Sequence, residues 1–261
     1  MIDLHCHILP GVDDGPVNMD FSLAMARAAV SVGTETVVAT PHIRSDYDLD
    51  PDGIDGRVEE LADALRAAGI PLSVLAGGEV AAAKAHELDD STLTKLCLGS
   101  SSCILIETPL SRDSLGFEES VAELRARGFV VLLAHPERSP IFQRDPERIR
   151  ALVHGGALCS VTASSLPGLS GRTARRLALR LIREGLVHNV TSDAHDHLHR
   201  PPLGLRRVLE DADHDVPGLG GQASWLTTDV PRALLADEEL PPRPSRAPGP
   251  PRWYRFPARS A

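Results

Sequence analysis

Short apolar runs alternate with longer amphipathic stretches along most of the chain. Ile2–Cys6, Thr36–Ala39, Leu72–Ala76, Cys103–Ile106, Phe129–Ala134, Leu158–Thr162 and Val187–Thr191 are brief and mostly rich in Val, Ile and Leu, and they read as strands. Between them, Phe21–Val32, Ile54–Ala68, Glu118–Arg127, Pro146–His154 and Gly171–Glu184 carry apolar residues at helical spacing. Each of these stops at or near a glycine: Gly33, Gly69, Gly128, Gly155 or Gly185. The third connection, Val80–Leu98, is less regular. Repeated strand–helix units predict parallel strands joined by right-handed crossovers, hence an α/β barrel or a doubly wound open sheet.

The polar residues after the strands sharpen this picture. The first strand runs into His5, Cys6 and His7 and then Asp13-Asp14; the second is followed by Thr40-Pro41-His42, and the third by Gly77-Gly78-Glu79. Glu107-Thr108-Pro109 follows the fourth, His135-Pro136-Glu137-Arg138 the fifth, and Ser192-Asp193-Ala194-His195 the seventh. Six of the seven strands thus end in a group able to bind a metal. A barrel gathers the C-terminal ends of its strands on one face, so residues distant in sequence are expected to meet in one cavity. Within the first motif, strand alternation points His5 and His7 to one side and Leu4 and Cys6 to the other.

Composition narrows the function classes. At 261 residues and 42% hydrophobic, the chain suits one large domain, taken here as residues 1–240. From Pro241 onward it is dense in proline, carries five arginines and no acidic residue, and reads as a disordered or extended tail over 241–261, either solvated or docking a partner. With 36 acidic against 27 basic residues the net charge of −9 gives no general footprint for nucleic acid. No apolar run approaches the ~20 residues of a membrane span, and the first motif starts too early to leave room for a cleavable leader, so a cytoplasmic protein without membrane insertion is expected. The sequence leaves the oligomeric state open, homo-oligomerisation included.

The strand-end set comprises His5, His7, His42, His135, His195, Glu79, Glu107, Asp193 and one of the Asp13-Asp14 pair. Nitrogen and oxygen donors without cysteine suit manganese, iron or zinc and argue against a structural thiolate zinc site. Nine ligands exceed one ion's needs, which implies two or three divalent ions, with a bridging hydroxide as a nucleophile for attack on phosphorus. Arg138 and Arg200 lie beside these ligands, and a planar guanidinium can grip two phosphate oxygens. A cysteine-dependent phosphatase is excluded, since the positions six after the four cysteines are Val12, Cys103, Pro109 and Ser165 instead of arginine. Cys6, Cys97, Cys103 and Cys159 read as reduced core residues. His86, His154, His188 and His214 read as packing or solvated side chains, and His197 and His199 as loop residues.

The ordered motifs His5-Cys6-His7, Asp13-Asp14-Gly15, Thr40-Pro41-His42, Gly78-Glu79, Ile106-Glu107, Ala134-His135-Pro136-Glu137-Arg138, Ser192-Asp193-Ala194-His195 and Arg200-Pro201-Pro202 resemble the PHP (polymerase and histidinol phosphatase) superfamily. More closely they are similar to the bacterial manganese-dependent protein-tyrosine phosphatases of capsule and exopolysaccharide operons, over about residues 1–210. The resemblance implies a distorted (βα)7 TIM-like barrel that dephosphorylates the tyrosine-rich tail of a polysaccharide-export tyrosine autokinase. It implies that His5, His7, Glu79 and Asp193 surround one ion and that Glu79 bridges to a second held by Glu107 and His135. Asp14, His42 and His195 would hold a third, while Arg138 and Arg200 contact phosphate. Rival expectations are a PHP-type small-molecule phosphatase acting on a substrate such as histidinol phosphate, a metal-dependent amidohydrolase, and a catalytically silent metal-binding regulatory module.

Overall fold

The computed structural model describes residues 1–47, 49–111 and 116–245. Strand β1 (Ile2–Cys6) leads to helix α1 (Met19–Ser31) and strand β2 (Thr36–Ala39), which resumes after Thr40-Pro41 as β3 (His42–Ile43). Helix α2 (Ile54–Ala67) returns the chain to β4 (Ser73–Ala76), which resumes after Gly77-Gly78 as β5 (Glu79–Ala81). Two short helices, α3 (Ala82–Ala85) and α4 (Asp90–Lys95), precede β6 (Cys103–Glu107). Then come α5 (Phe117–Ala126), β7 (Val130–Ala134), α6 (Pro140–Arg144), α7 (Glu147–His154), β8 (Leu158–Thr162), α8 (Arg172–Arg183) and β9 (Asn189–Thr191). The last elements of the described residues are α9 (Leu205–Asp211), a π-helical turn at Trp225–Asp229 and α10 (Val230–Leu235).

Every strand pairing is parallel, in two sheets ordered β1-β2-β4 and β3-β5-β6-β7-β8-β9. The fold is therefore α/β, with strand C-termini gathered on one side. Where the resemblance implies one distorted (βα)7 barrel, the described residues form two sheets. The first strand nevertheless reaches the segment after the last: the Asp193 amide donates to the His5 carbonyl at 3.0 Å and the His7 amide to the Ala194 carbonyl at 2.9 Å.

The apolar runs become strands because helices or neighbouring strands cover both of their faces. All five residues of β6 and the last four of β7 are buried. On α8, Ala174, Leu177, Ala178, Leu181 and Ile182 are buried while the arginines face outward. Gly77 and Gly78 permit the step from one sheet to the other: a Cβ on Gly77 would lie 2.9 Å from Val38 Cγ1, and one on Gly78 would lie 2.9 Å from Leu96 Cδ2.

Three features were not legible in the sequence. The continuations β3 and β5 are too short to give a period. α9, the π-helical turn and α10 fall in a stretch broken by Pro217, Gly218, Gly220 and Pro231. The start of the Pro/Arg-rich tail is held against the body: the Trp225 indole N–H donates to the Pro241 carbonyl at 2.9 Å, and the Arg243 guanidinium lies 4.1 Å from the centre of the Trp225 ring and donates to the Val187 carbonyl. Residues 246–261 of that tail lie outside the described residues. All four cysteines are buried and free. Among the described residues no helix is long and apolar enough to cross a membrane.

Candidate metal centre

The chain turns immediately beyond several strands, and there the polar residues converge. Four overlapping groups of donor atoms, each within 4.8 Å of one another, are formed by His7, Asp14, His42 and His195; by His5, His7 and Asp193; by His5, Glu79 and His135; and by His42, Glu79 and Glu107. All nine candidate ligands are included, and eight of them are buried; Asp14 is the exposed member. Glu79, fully buried, is the hub. Its Oε1 lies 2.8 Å from His135 Nε2, while Oε2 lies 2.9 Å from His42 Nδ1 and 3.4 Å from both His5 Nε2 and His7 Nε2. Asp193 Oδ1 approaches His5 Nε2 at 3.4 Å and His7 Nε2 at 3.6 Å, and Asp14 Oδ1 joins His42 and His195 at 3.4 and 3.3 Å.

Backbone geometry aims two of these groups. His135 and Asp193 have φ of 37° and 50°, the left-handed region that costs a non-glycine residue of order 1–3 kcal/mol. Each sits within two residues of a strand end, and both side chains join the donor cluster.

A supporting shell fixes the rest. Asp13 accepts from the His7 Nδ1–H at 2.7 Å, from the His42 amide at 3.0 Å and from the Gly15 amide at 2.9 Å. It therefore orients two ligand-bearing segments and leaves Asp14 to face the cluster. Gly15 is obligatory there, since its Cβ would lie 2.5 Å from the His7 carbonyl oxygen. Asp3 Oδ1 accepts from the amides of His5 and Ser192 at 3.3 and 3.0 Å and ties the first strand to the last. Glu137 Oε1 accepts from the Thr162 amide and the Ser165 hydroxyl at 3.0 and 2.7 Å. Sequence reasoning gave Asp3 and Glu137 no role. Alternation places Asp3 on the strand face of His5 and His7, but the Ser192 amide it accepts from is 189 residues away.

The electrostatics are those of a buried acidic cage. Burial alone would lower the His7 and His42 pKa values, yet the carboxylates of Asp13 and Glu79 raise His7 to about 9, and those of Asp14 and Glu79 raise His42 to about 10. His195 moves the other way, lowered by burial and by the charge on His7. Burial disfavours ionised Asp193 and Glu79, but the surrounding imidazoles override it and hold both below the usual carboxylate range. Glu107 is raised by burial and by the neighbouring Glu79.

The residues fit a set of divalent cations. The donors are all nitrogen and oxygen. His5 Nδ1, His42 Nδ1, Glu79 Oε2 and His135 Nδ1 are buried without a hydrogen-bond partner. Although His42 Nδ1 and Glu79 Oε2 approach to 2.9 Å, they lack hydrogen-bond alignment, an arrangement a shared cation relieves.

The chain matches the family described as capsular polysaccharide synthesis, CpsB/CapC, over residues 1–210. It belongs to the CpsB/CapC family. It is 37% identical over 248 residues to the tyrosine-protein phosphatase YwqE of Bacillus subtilis (strain 168), covering 94% of this chain and 96% of that one. It is 26% identical over 251 residues to the tyrosine-protein phosphatase CpsB of Streptococcus pneumoniae, covering 91% and 99%. A solved structure from work on YwqE and CpsB, described as unique metal-dependent tyrosine phosphatases, superposes with a TM-score of 0.84 at 33% identity, covering 95% of this chain and all of that one. Dihydropyrimidinase from Brevibacillus agri matches with a TM-score of 0.59 at 12% identity, covering 90% of this chain and 70% of that one, a likeness of fold alone.

Within this CpsB/CapC chain the two arginines meet on one oxygen. Arg138 Nη1 donates to Asp193 Oδ2, as does Arg200 Nη2 at 3.2 Å, and Arg200 Nη1 reaches Asp14 Oδ2 at 3.4 Å. They line a cleft of about 570 Å³ with Ser192, Asp193, Leu169 and Leu198. A second cleft of about 870 Å³ opens on the other side, beside Glu107, Thr108, Leu110 and Arg44. Arg44, which sequence reasoning passed over, donates to Glu107 at 3.2 Å. Of the histidines expected to pack or face solvent, His86 bonds Ser120 and lies 3.0 Å from Glu123, while His188 accepts from the Cys159 amide at 3.2 Å. Neither joins the donor groups.

Proposed function

We propose that this chain is a metal-dependent phosphomonoester hydrolase acting on phosphotyrosine in protein, and that its substrate is the tyrosine-phosphorylated tail of a bacterial kinase of polysaccharide export. The observation that carries the reading is the meeting of two guanidinium groups on an oxygen of Asp193, which itself belongs to the buried donor cluster. Membership of the CpsB/CapC family, and the names of YwqE and CpsB, support it. We also read the two sheets as one distorted (βα)7-type barrel, a reading supported by the bonds between residues 5–7 and 193–194.

In this proposal His5, His7, Asp14, His42, Glu79, Glu107, His135, Asp193 and His195 hold two or three divalent ions, manganese being our first choice. Ions held there would supply an activated water near neutral pH and polarise the phosphoryl oxygens. The chain's own work is binding and orientation. Arg138 and Arg200 exchange their contact with Asp193 for two oxygens of the incoming phosphate and keep their charge against the transferring group. Asp13 keeps a proton on His7 Nδ1 and so presents Nε2 to the cluster. The leaving phenolate, with an ordinary pKa of about 10, departs more readily than a serine alkoxide, which suits a site that offers charge stabilisation more plainly than a proton donor.

Chelation followed by turnover of a phosphotyrosine peptide in manganese, zinc, iron and magnesium tests the proposal. Loss on chelation and recovery with at least one ion is expected. Hydrolysis of histidinol phosphate but not of the peptide would replace the substrate, and metal binding without hydrolysis of any phosphomonoester would end the enzymatic reading.

A further inference from the structure

The described residues expose five large hydrophobic side chains: Val17, Phe21, Leu110, Leu169 and Leu198. All five lie in segments that leave the C-terminal ends of strands. Val17 and Phe21 follow β1, Leu110 follows β6, Leu169 follows β8, and Leu198 follows β9. Among the described residues Phe21, in the first turn of α1, is the one such side chain within a helix. Exposed leucine is unremarkable when scattered, but its concentration in segments beyond strand C-termini, the side that carries the donor cluster, points to a surface that meets an apolar partner.

Two of the five stand at the arginine cleft. Leu169 and Leu198, exposed at 73% and 68%, line it together with Arg138, Arg200 and Asp193. The floor is thus cationic and polar and the lip is apolar, within a volume in the range of about 300–1,000 Å³ common for ligand sites. A phosphorylated side chain whose phosphate reaches the two arginines enters the cleft that both leucines line, and so brings its own middle portion to their level. For phosphoserine that portion is a single methylene, leaving the peptide backbone at the lip. For phosphotyrosine it is an aromatic ring, which alone presents two apolar faces there.

We propose that Leu169 and Leu198 form an aryl clamp that holds the phosphotyrosine ring and so determines the specificity of the site for aryl phosphates. This deepens the phosphatase reading and rests on it. The clamp acts in binding, not in the chemical step: removing it weakens capture of aryl substrates and leaves the bound phosphate as reactive as before.

The test uses the full chain loaded with the ion that best supports turnover, and compares Leu169→Ala, Leu198→Ala, the double variant and Leu169→Met. Steady-state kinetics are measured on a phosphotyrosine peptide, phenyl phosphate and an alkyl phosphate, with metal content determined alongside. Both side chains project into solvent, so truncation leaves the core unaltered. The expected result is a KM raised about tenfold per leucine on both aryl substrates, with kcat and metal content unchanged, no change on the alkyl phosphate, and near-normal behaviour of Leu169→Met. Unaltered KM on both aryl substrates would overturn the clamp. So would an equal loss on the alkyl phosphate, which would assign the leucines to cleft shape instead. If the unmodified protein hydrolyses no phosphomonoester, the phosphatase reading fails first, an outcome distinct from active variants with unchanged KM.

Discussion

Arg138 and Asp193 summarise the chemistry at the scale of single residues. A guanidinium on a buried carboxylate oxygen is an ordinary ion pair until the carboxylate also belongs to a cage of imidazoles; in the proposed function the same guanidinium would meet an anion arriving at that cage. Arg138→Ala is expected to lower kcat/KM by about 10²–10³-fold, the cost of one donor to a transition-state oxygen, with metal content retained. Kinetics alongside elemental analysis check this, and normal kinetics would remove Arg138 from the mechanism. Glu79→Ala should behave differently. Because Glu79 faces four imidazoles, its loss should remove metal and activity together, leaving no variant protein that is loaded yet inactive. The residues of the donor cluster were legible in the sequence, because histidine and acid directly after an apolar run interrupt the pattern. Asp3 and Glu137 were not singled out: their work is to accept backbone amide protons from segments 189 and 25 residues away, pairings that only folding creates.

Elements set the precision of the site. The loop after β1 must bring Asp13 to His7 and pass its own backbone close to the His7 carbonyl, and Gly15 alone allows that approach. Gly15→Ala should therefore displace the loop, costing about 1–3 kcal/mol of stability and lowering metal affinity; thermal unfolding and metal titration measure the two effects. Helices were read well where an amphipathic face runs for ten residues or more, as in α2 and α8. They were missed in α9 and α10, whose few turns do not complete a periodic signal and are stabilised by packing. Similarly β3 and β5, two and three residues long, exist because neighbouring strands pair with them: His42 with Glu79, and Glu79 with Leu105.

The whole molecule carries two further consequences. Ions held by the proposed cage would lack an assembled site in the unfolded chain, so chelation should lower the melting temperature by about 10 °C when the free ion had exceeded its Kd a thousandfold. Scanning calorimetry with and without chelator tests this, and an unchanged melting temperature would argue against occupancy of the cage. The second consequence concerns His188, far from the cage in its contacts. Burial, with the nearby charge of Arg243, lowers its pKa to about 4, and its Nδ1 accepts from the Cys159 amide. The unfolded histidine takes up a proton below about 6.5, whereas the folded one resists until about 4. The unfolded state then binds more protons, and stability falls as the pH drops through that window, by about 3 kcal/mol from this group. His188→Asn, whose side-chain oxygen can accept the same amide, should show a shallower decline between pH 6.5 and 4 than the parent in urea unfolding; identical slopes would refute the assignment.

The sequence by itself determined the alternation of strands and helices, the nitrogen and oxygen donor set and its position at strand ends, because periodicity and residue chemistry are local properties of the chain. Folding alone turned His135 and Asp193 through the left-handed region, gave Asp13 its three donors and joined the first strand to the segment after the last, and it placed Glu79 and Asp14 in the donor groups where the resemblance had implied them. Those features depend on distances between segments up to about 190 residues apart, which are set by the packing of helices on sheets and carry no signature in any single stretch of sequence.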